Sequence, residues 1–199
     1  MAKRFFDMVM AAFGLLLLAP LFLLISVWIK LDSPGPVLFR QERVGRFGVP
    51  FRIHKFRTMR HDVAGGGPLI TVGADTRITR VGAYLRRAKL DELPQLIDVL
   101  RGTMSVVGPR PEVPRYLADY PDELRDKVLS VRPGITDLAS IQFRDENALL
   151  ARAADPEREY REVVLPAKLR LAAEYVDHAT LANDLRLIGL TLKALITHG

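Results

Sequence analysis

The chain of 199 residues contains no cysteine, which excludes disulfides, thiolate catalysis and zinc–thiolate sites but does not fix a compartment. Its four histidines lack the spacing of a metal site: His54, His61, His178 and His198. It also lacks the Walker phosphate loop, the dinucleotide-binding glycine fingerprint and the G-x-S-x-G nucleophile elbow. We find no internal repeat and no low-complexity segment. Function must therefore be inferred from other patterns.

Charge is missing from one long stretch. From Met8 to Ile29 there is no charged side chain, and Ser26 is the only polar one. About 20 helical residues suffice to cross the hydrocarbon core of a bilayer, so this run is long enough. It is too long for a cleaved signal peptide and has no clear cleavage site. We predict a membrane anchor, and the length argues against a soluble core helix.

A proline near the middle of this run bears on its course. Pro20 removes a backbone donor, and its ring clashes with the carbonyl of Leu16 in a helix. A break at Ala19–Pro20 would give a re-entrant hairpin, whereas a kinked single span is the alternative. Basic residues flank the run on both sides: Lys3, Arg4, Lys30, Arg40, Arg43 and Arg46. Because basic flanks are typical of the cytoplasmic side, both ends look cytoplasmic, which favours the hairpin. These residues alone leave both courses open.

The remaining residues predict one compact domain, so we divide the chain into an anchor, 1–31, and a domain, 32–199. We predict an α+β fold that is mainly helical, with short strands at 37–39 and 51–56 and a flexible glycine-rich loop at 65–68. Helices are predicted from Thr79, behind Asp91, over 113–129 with a kink at Pro121, and over 156–196 with an interruption at 178–180.

The last predicted helix carries an apolar stripe at helical spacing, formed by Leu181, Leu185, Ile188, Leu192 and Leu195. Such a stripe is typical of a helix that packs on the core, which we favour. A helix that lies on the membrane surface is the alternative.

Adjacent carboxylates, Asp91 and Glu92, begin a predicted helix just after Arg86, Arg87 and Lys89. Acidic residues in a first turn often only complement the helix dipole. Nearby cations, however, would lower the pKa of a carboxylate, and an ionised carboxylate can attack phosphorus to form an acyl phosphate. Its neighbour could bind Mg²⁺, which prefers oxygen ligands.

Cations on rigid turns form a second candidate group: Lys55, Arg57, Arg110 and Arg132. Arg110 stands between two prolines, which restrict the backbone and could aim its guanidinium at a phosphate. A solvated charged surface is the alternative for each one. The net charge of +6 suits phosphates or a lipid surface. We expect no nucleic-acid partner, because the cations lie beside an anchor and an acidic pair, without an aromatic stacking platform.

The strings KFRTM, LDELPQLIDVLRGTMSVVGPRP and VRPGIT, in this order behind an apolar segment, closely resemble the bacterial sugar transferases over roughly residues 3–195. These are monotopic phosphoglycosyl transferases of bacterial glycan assembly. The resemblance implies transfer of a sugar-1-phosphate from a UDP-sugar to a polyprenol phosphate, typically undecaprenyl phosphate, with release of UMP. It implies location at the cytoplasmic face of the inner membrane, in contact with membrane lipid, and a re-entrant helix broken at Pro20.

The resemblance also implies roles for individual residues. Asp91 matches the family's nucleophile, which forms a covalent phosphosugar, and Glu92 matches its neighbour, with Mg²⁺ held at the pair. The matching family cations lie around the phosphates: Lys55, Arg57, Arg86 and Arg110. Arg132 and Arg144 are further candidates for binding phosphate or nucleotide.

The chain departs from the family pattern at Thr103, where many members have an acidic residue, and over 137–143, where the family's GITGWAQVNGR string is replaced. The second change leaves the sugar's identity open, and the sequence also leaves open the glycan pathway and whether the protein forms a homodimer. Two other functions remain as alternatives: a glycosyltransferase that releases UDP, and a non-catalytic protein that keeps the fold.

Overall fold

The computed structural model describes residues 1–60 and 75–197, so the predicted glycine-rich loop at 65–68 lies outside the described residues. Within these ranges the chain is mainly helical with a small sheet, as predicted, and it has a second small sheet that was not predicted. The α-helices are α1 (Ala2–Asp32), α2 (Arg80–Arg87), α3 (Leu96–Arg101), α4 (Asp122–Leu129), α5 (Leu138–Gln142), α6 (Glu146–Leu150), α7 (Pro156–Glu159), α8 (Leu165–Asp177) and α9 (Leu181–Thr197). The strands are β1 (Leu38–Val44), β2 (Pro50–Phe56), β3 (Ser105–Val107) and β4 (Gly134–Thr136). Short 3₁₀ helices cover Arg46–Gly48, Leu90–Gln95 and Pro114–Asp119, and a π-helix covers Tyr160–Val164.

The apolar segment forms a single helix. Helix α1 runs from Ala2 to Asp32 with Pro20 inside it, so the predicted interruption at Ala19–Pro20 is wrong as secondary structure. A proline's fixed φ is compatible with a helix, and its ring costs only local hydrogen bonding, which the intact turns on either side can tolerate. The re-entrant course of the segment stays a prediction.

Both halves of α1 pack on the rest of the chain. In the first half, Ala11 is fully buried against α3 and β3, while the buried Asp7 accepts hydrogen bonds from Ser105 Oγ at 3.0 Å and from Val106 N at 3.1 Å. In the second half, Ile25 and Ile29 belong to a cluster with β2 and α2. The middle of the helix is different, because its leucines are largely exposed.

Strands β1 and β2 form an antiparallel hairpin in which Leu38 pairs with Phe56 and Val44 with Pro50. The first strand is longer than predicted, since its pairing continues past Phe39 through polar residues to Val44. Successive side chains of a strand point to opposite faces, so His54 and Lys55 of β2 lie on different faces of the hairpin. The hairpin thereby carries Lys55 toward the 3₁₀ helix that holds the two carboxylates.

The two proline–glycine turns of the sequence meet in the parallel pair β3–β4. Here Gly108 N donates to Thr136 O at 3.1 Å, and Gly134 N donates to Pro109 O at 2.9 Å. The backbones approach so closely that a Cβ on Gly134 would lie 2.1 Å from Gly108 N. Only glycine fits this contact, which fixes the start of the Pro109–Pro111 turn.

The C-terminal helices α8 and α9 pack on the β3–β4 pair. The largest buried cluster is formed mainly by α4, α8 and the segments leading to them, with Tyr116 and Tyr160 packed ring against ring. The expectation that α9 packs on the core is confirmed in part. Ile188 of its apolar stripe packs on the buried cluster of Val107, Tyr175 and Leu187, whereas Leu181, Leu185 and Leu192 are exposed. The inward face also carries Asp184, which is bound by Lys3 and by Tyr175.

Candidate active site

A cavity of about 540 Å³ lies between the β1–β2 hairpin, the α2–α3 connection, the β3–β4 turns and helices α5 and α8. It brings together most of the residues that the sequence singled out. Those that line it are Lys55, Arg57, Arg86, Asp91, Glu92, Arg110 and Arg144. Arg132 is not among the lining residues.

The carboxylate of Glu92 binds two of the cations that line this cavity, Lys55 and Arg110. One carboxylate oxygen, Oε1, accepts a hydrogen bond from Lys55 Nζ at 2.8 Å and another from Arg110 Nη2. The second oxygen, Oε2, accepts from Arg110 Nη1 at 3.0 Å, so the arginine binds in a fork. The Glu92 side chain is 13% exposed. The sequence placed these three residues in one site, and the structure joins them in one ion-pair network.

This network controls the ionisation of its members. Burial alone would raise the pKa of Glu92, but the charges of Arg110 and Lys55 and their hydrogen bonds outweigh it and hold the pKa well below its usual range. The charge of Glu92 in turn raises the pKa of Arg110. Burial lowers the pKa of Lys55, with Glu92 opposing the shift. The sequence-based expectation that nearby cations lower the pKa of a carboxylate is therefore met by Glu92.

Asp91 behaves differently. It is only 8% exposed and lines the cavity, yet its carboxylate has no hydrogen-bond partner within residues 1–60 and 75–197. Burial raises the pKa of Asp91, Glu92 raises it further, and the charges of Lys55, Arg86 and Lys89 only partly oppose this. The sequence-based expectation of a lowered pKa is wrong here because desolvation dominates. The result is a carboxylate left open to a ligand.

Helix α2 positions Arg86. Thr79 caps the helix by accepting from Gly82 N at 3.0 Å, and Thr79 N donates to Thr58 O at 3.0 Å. A Cβ on Gly82 would lie 2.1 Å from Thr58 O, so glycine is needed for this approach. Arg86 Nε then donates to Thr58 Oγ1 at 2.9 Å, which holds the guanidinium at the cavity wall.

The other predicted arginines bind backbone carbonyls. Arg57 donates to Ser33 O at 2.7 Å and to Pro34 O, and so closes the C-terminal end of α1. Arg132 Nε donates to Gly102 O at 2.8 Å, at the end of α3. Arg144 donates to Ala194 O on α9. These contacts give each guanidinium a structural partner, and its role toward phosphate stays a prediction.

Sequence reasoning missed the residues that support Arg110. Asp137 Oδ2 accepts from Arg110 N at 3.2 Å, while its Oδ1 accepts from Ser140 N at 2.7 Å and caps α5. Asp137 lies in the segment that departs from the family pattern. An aspartate before a short apolar run is a helix-start signal that could have revealed the cap, but nothing in the sequence shows its contact with Arg110.

The sequence analysis also missed the buried pair His54 and Asp98, which connects two elements beside the site. The buried Asp98 on α3 accepts from His54 N at 2.8 Å, and its other oxygen lies 2.7 Å from His54 Nδ1. Arg101 Nη1 lies 3.2 Å from His54 Nε2 and can only donate, so Nε2 accepts and the proton is on Nδ1. The pair ties the strand that carries Lys55 to the helix that follows the two carboxylates.

The described residues fit a magnesium ion only in part. In that part of the chain no three His, Asp or Glu side chains are grouped as metal ligands, and both oxygens of Glu92 are taken by cations. The open carboxylate of Asp91 is a suitable hard ligand. Mg²⁺ commonly binds one or two carboxylates and completes its shell with substrate phosphates and water. Asp91 is therefore the residue here that fits such an ion.

The protein combines a helix that is long and apolar enough for a membrane anchor with a cavity in which cations surround two carboxylates. The chain belongs to the bacterial sugar transferase family, whose sequence model matches residues 1–198. It is 40% identical, over 98% of its length and 70% of the relative, to UDP-glucose:undecaprenyl-phosphate glucose-1-phosphate transferase of Caulobacter vibrioides. It is 39% identical to the exopolysaccharide production protein PSS of Rhizobium leguminosarum bv. phaseoli, covering 99% of this chain and 96% of the relative.

A further relative is UDP-N-acetylgalactosamine-undecaprenyl-phosphate N-acetylgalactosaminephosphotransferase of Aeromonas hydrophila. It is 42% identical over 70% of this chain and 33% of its own length. The relatives from Caulobacter vibrioides and Aeromonas hydrophila are thus named for transferring different sugar phosphates to the same lipid phosphate. The family resemblance inferred from the motifs is confirmed, and so is the assignment as an enzyme of the phosphoglycosyl transferase class.

Proposed function

We propose that this protein transfers a sugar-1-phosphate from a UDP-sugar to undecaprenyl phosphate at the membrane surface. The family and the names of its relatives support the reaction class. The observation that carries the mechanism is the buried carboxylate of Asp91, open to the cavity beside Glu92 and its two bound cations. A carboxylate without a hydrogen-bond partner is available to attack, whereas Glu92 is fully engaged.

In the first step, an Asp91 carboxylate oxygen attacks the phosphorus that carries the sugar. An O–P bond forms to Asp91, the phosphoanhydride bond of the UDP-sugar breaks, and UMP leaves with the electron pair. Arg110, Lys55 and Arg86 lie around this carboxylate and would offset the negative charge that gathers in the transition state.

In the second step, a phosphate oxygen of undecaprenyl phosphate attacks the same phosphorus. The bond to Asp91 breaks, the free carboxylate returns, and the product is undecaprenyl-diphospho-sugar. One cavity can therefore serve a water-soluble donor and a lipid acceptor in turn. When bound, Mg²⁺ would be held by Asp91 and substrate phosphates and would supply further charge neutralisation.

The position of α1 supports work at a membrane surface. Residues of both halves of α1 pack on the same globular part, while Leu16 and Leu17 between them are 78% and 64% exposed. Because both halves are held on the domain, we infer that α1 bends at Pro20 without losing its helical turns, so that its exposed middle enters the cytoplasmic leaflet and returns. The exposed leucines of α9 could lie on the same lipid surface. Epitope tags at both ends should be protected from protease in intact cells; digestion of either tag would contradict the re-entrant course.

The transfer is tested with the purified chain in detergent, with UDP-glucose or UDP-N-acetylgalactosamine as donor and undecaprenyl phosphate as acceptor. We expect UMP as the released nucleotide and, with radiolabelled donor alone, a covalent adduct that the Asp91→Asn variant does not form. Asp91→Asn should also abolish turnover while membrane association persists. Release of UDP would instead indicate a glycosyltransferase, and lipid product without an adduct would refute the two-step route.

A further inference from the structure

The cations that line the cavity differ in whether they have a partner within the protein. Those with a hydrogen bond or ion pair are Arg43, Lys55, Arg57, Arg77, Arg86, Arg110, Arg144 and Lys168. Lys89 lines the same cavity, is exposed, and has no side-chain partner anywhere in residues 1–60 and 75–197. It is thus a cation at the cavity that can bind a ligand without first giving up a contact.

The backbone conformation of Lys89 also indicates a functional role for this residue. Lys89 has φ 57° and ψ 21°, in the left-handed region that glycine or asparagine adopts at lower cost. The only other described residue with positive φ that is not glycine is Phe47, at the tip of the β1–β2 hairpin. A strained backbone beside a functional site is a recurring feature of ligand-binding residues. The strain at Lys89 turns the chain from α2 into the 3₁₀ helix that carries Asp91 two residues later.

We propose that Lys89 is a further phosphate-binding residue of this enzyme, whose ammonium group receives a phosphate of an incoming substrate at the mouth of the cavity. This inference rests on the proposed function. Phosphate is the shared chemistry, because the UDP-sugar and undecaprenyl phosphate both carry it. A lysine ammonium on a flexible stem suits capture of a phosphate before the more rigid arginine contacts form.

The test compares Lys89→Gly, Lys89→Ala and Lys89→Arg. The glycine and alanine variants both lose the ammonium, but only glycine relieves the backbone strain. We expect both to raise the KM of one phosphate substrate about tenfold with little change in kcat, as for loss of a single charge-assisted hydrogen bond. Lys89→Arg should keep most of the affinity, and Lys89→Gly should have a Tm no lower than that of the wild type, which excludes misfolding as the cause.

The control is Arg87→Ala, which removes an equal charge from an exposed residue two positions away that does not line the cavity. It should leave both KM values unchanged. A raised KM for the UDP-sugar assigns Lys89 to the donor diphosphate, and a raised KM for undecaprenyl phosphate assigns it to the acceptor.

Three outcomes would overturn the inference: unchanged KM values in Lys89→Gly, an equal effect in Arg87→Ala, or a defect confined to Lys89→Ala. In each of these the wild type still releases UMP, so the proposed function stands. If the wild type releases no UMP from either UDP-sugar, the proposed function fails and this inference fails with it.

Discussion

The substitution Glu92→Gln tests whether the ion-pair network holds the site together. It keeps the shape of the side chain but removes the charge that Lys55 and Arg110 share. Removing one partner of a buried ion pair costs about 3–5 kcal/mol. Because the Arg110 side chain is 35% exposed and partly screened by water, we expect a smaller loss, of about 2–3 kcal/mol. In a chain of this size that corresponds to a fall in Tm of roughly 5–10 °C.

The measurement is thermal unfolding of the full chain in detergent, followed by circular dichroism at several pH values. The pKa of Glu92 is lowered in the folded state, so its ionised form contributes stability above the ordinary glutamate pKa. That contribution disappears as the pH falls through the folded-state pKa. The difference in Tm between the wild type and Glu92→Gln should therefore be full at neutral pH and shrink in acid.

Glu162→Gln is the matched control, because Glu162 pairs with Arg158 on the surface and its side chain is 59% exposed. Exposed pairs of this kind contribute little to stability because water and salt screen their charges, so the Tm of this variant should stay near that of the wild type. If Glu92→Gln also leaves the Tm within about 1 °C, or if the loss persists unchanged in acid, Glu92 is not the charge that organises the site.

Two further substitutions test the supports of the site. Arg57→Ala removes the guanidinium that holds the carbonyls at the end of α1, and should lower the Tm through a loss of about 1–3 kcal/mol, measured by the same unfolding assay; an unchanged Tm would contradict a capping role. Gly82→Ala forces a Cβ against Thr58 O and should lower both the Tm and the turnover, because the clash displaces Arg86. The control is Gly189→Ala in α9, which has open space around it and should leave the Tm unchanged or raise it. Equal behaviour of the two alanine variants would refute the close-approach argument.

Local patterns and the family resemblance together predicted the centre of the site well. Asp91 and Glu92 are adjacent in sequence and the prolines around Arg110 restrict its backbone, but it was the family resemblance that placed Arg110 beside the two carboxylates. The hairpin and the interruption between α8 and α9 were also predicted from local turn signals and helical periodicity. The sequence could not show that the pKa of Asp91 is raised while that of Glu92 is lowered. These shifts depend on the burial and the charged neighbours of each carboxylate, which the whole fold determines.

Long-range contacts account for the errors. The face of α9 that packs inward is set by Asp184, whose partner Lys3 lies 181 positions away in the sequence. The backbone carbonyls bound by Arg57, Arg132 and Arg144 are likewise supplied by distant parts of the chain, and phosphate binding by these arginines stays a prediction. Helix periodicity identifies an apolar stripe but does not say whether protein or lipid covers it.

The packing of α1 has a consequence for how this enzyme can be handled. Ala11, Ile25 and Ile29 are at most 3% exposed, so the helix that is long and apolar enough for a membrane anchor also fills part of the protein interior. A chain cut after Asp32 would lose these side chains from two buried clusters, so we expect it to misfold rather than to give a water-soluble catalyst. The enzyme should therefore be purified whole, with detergent in place of lipid around α1.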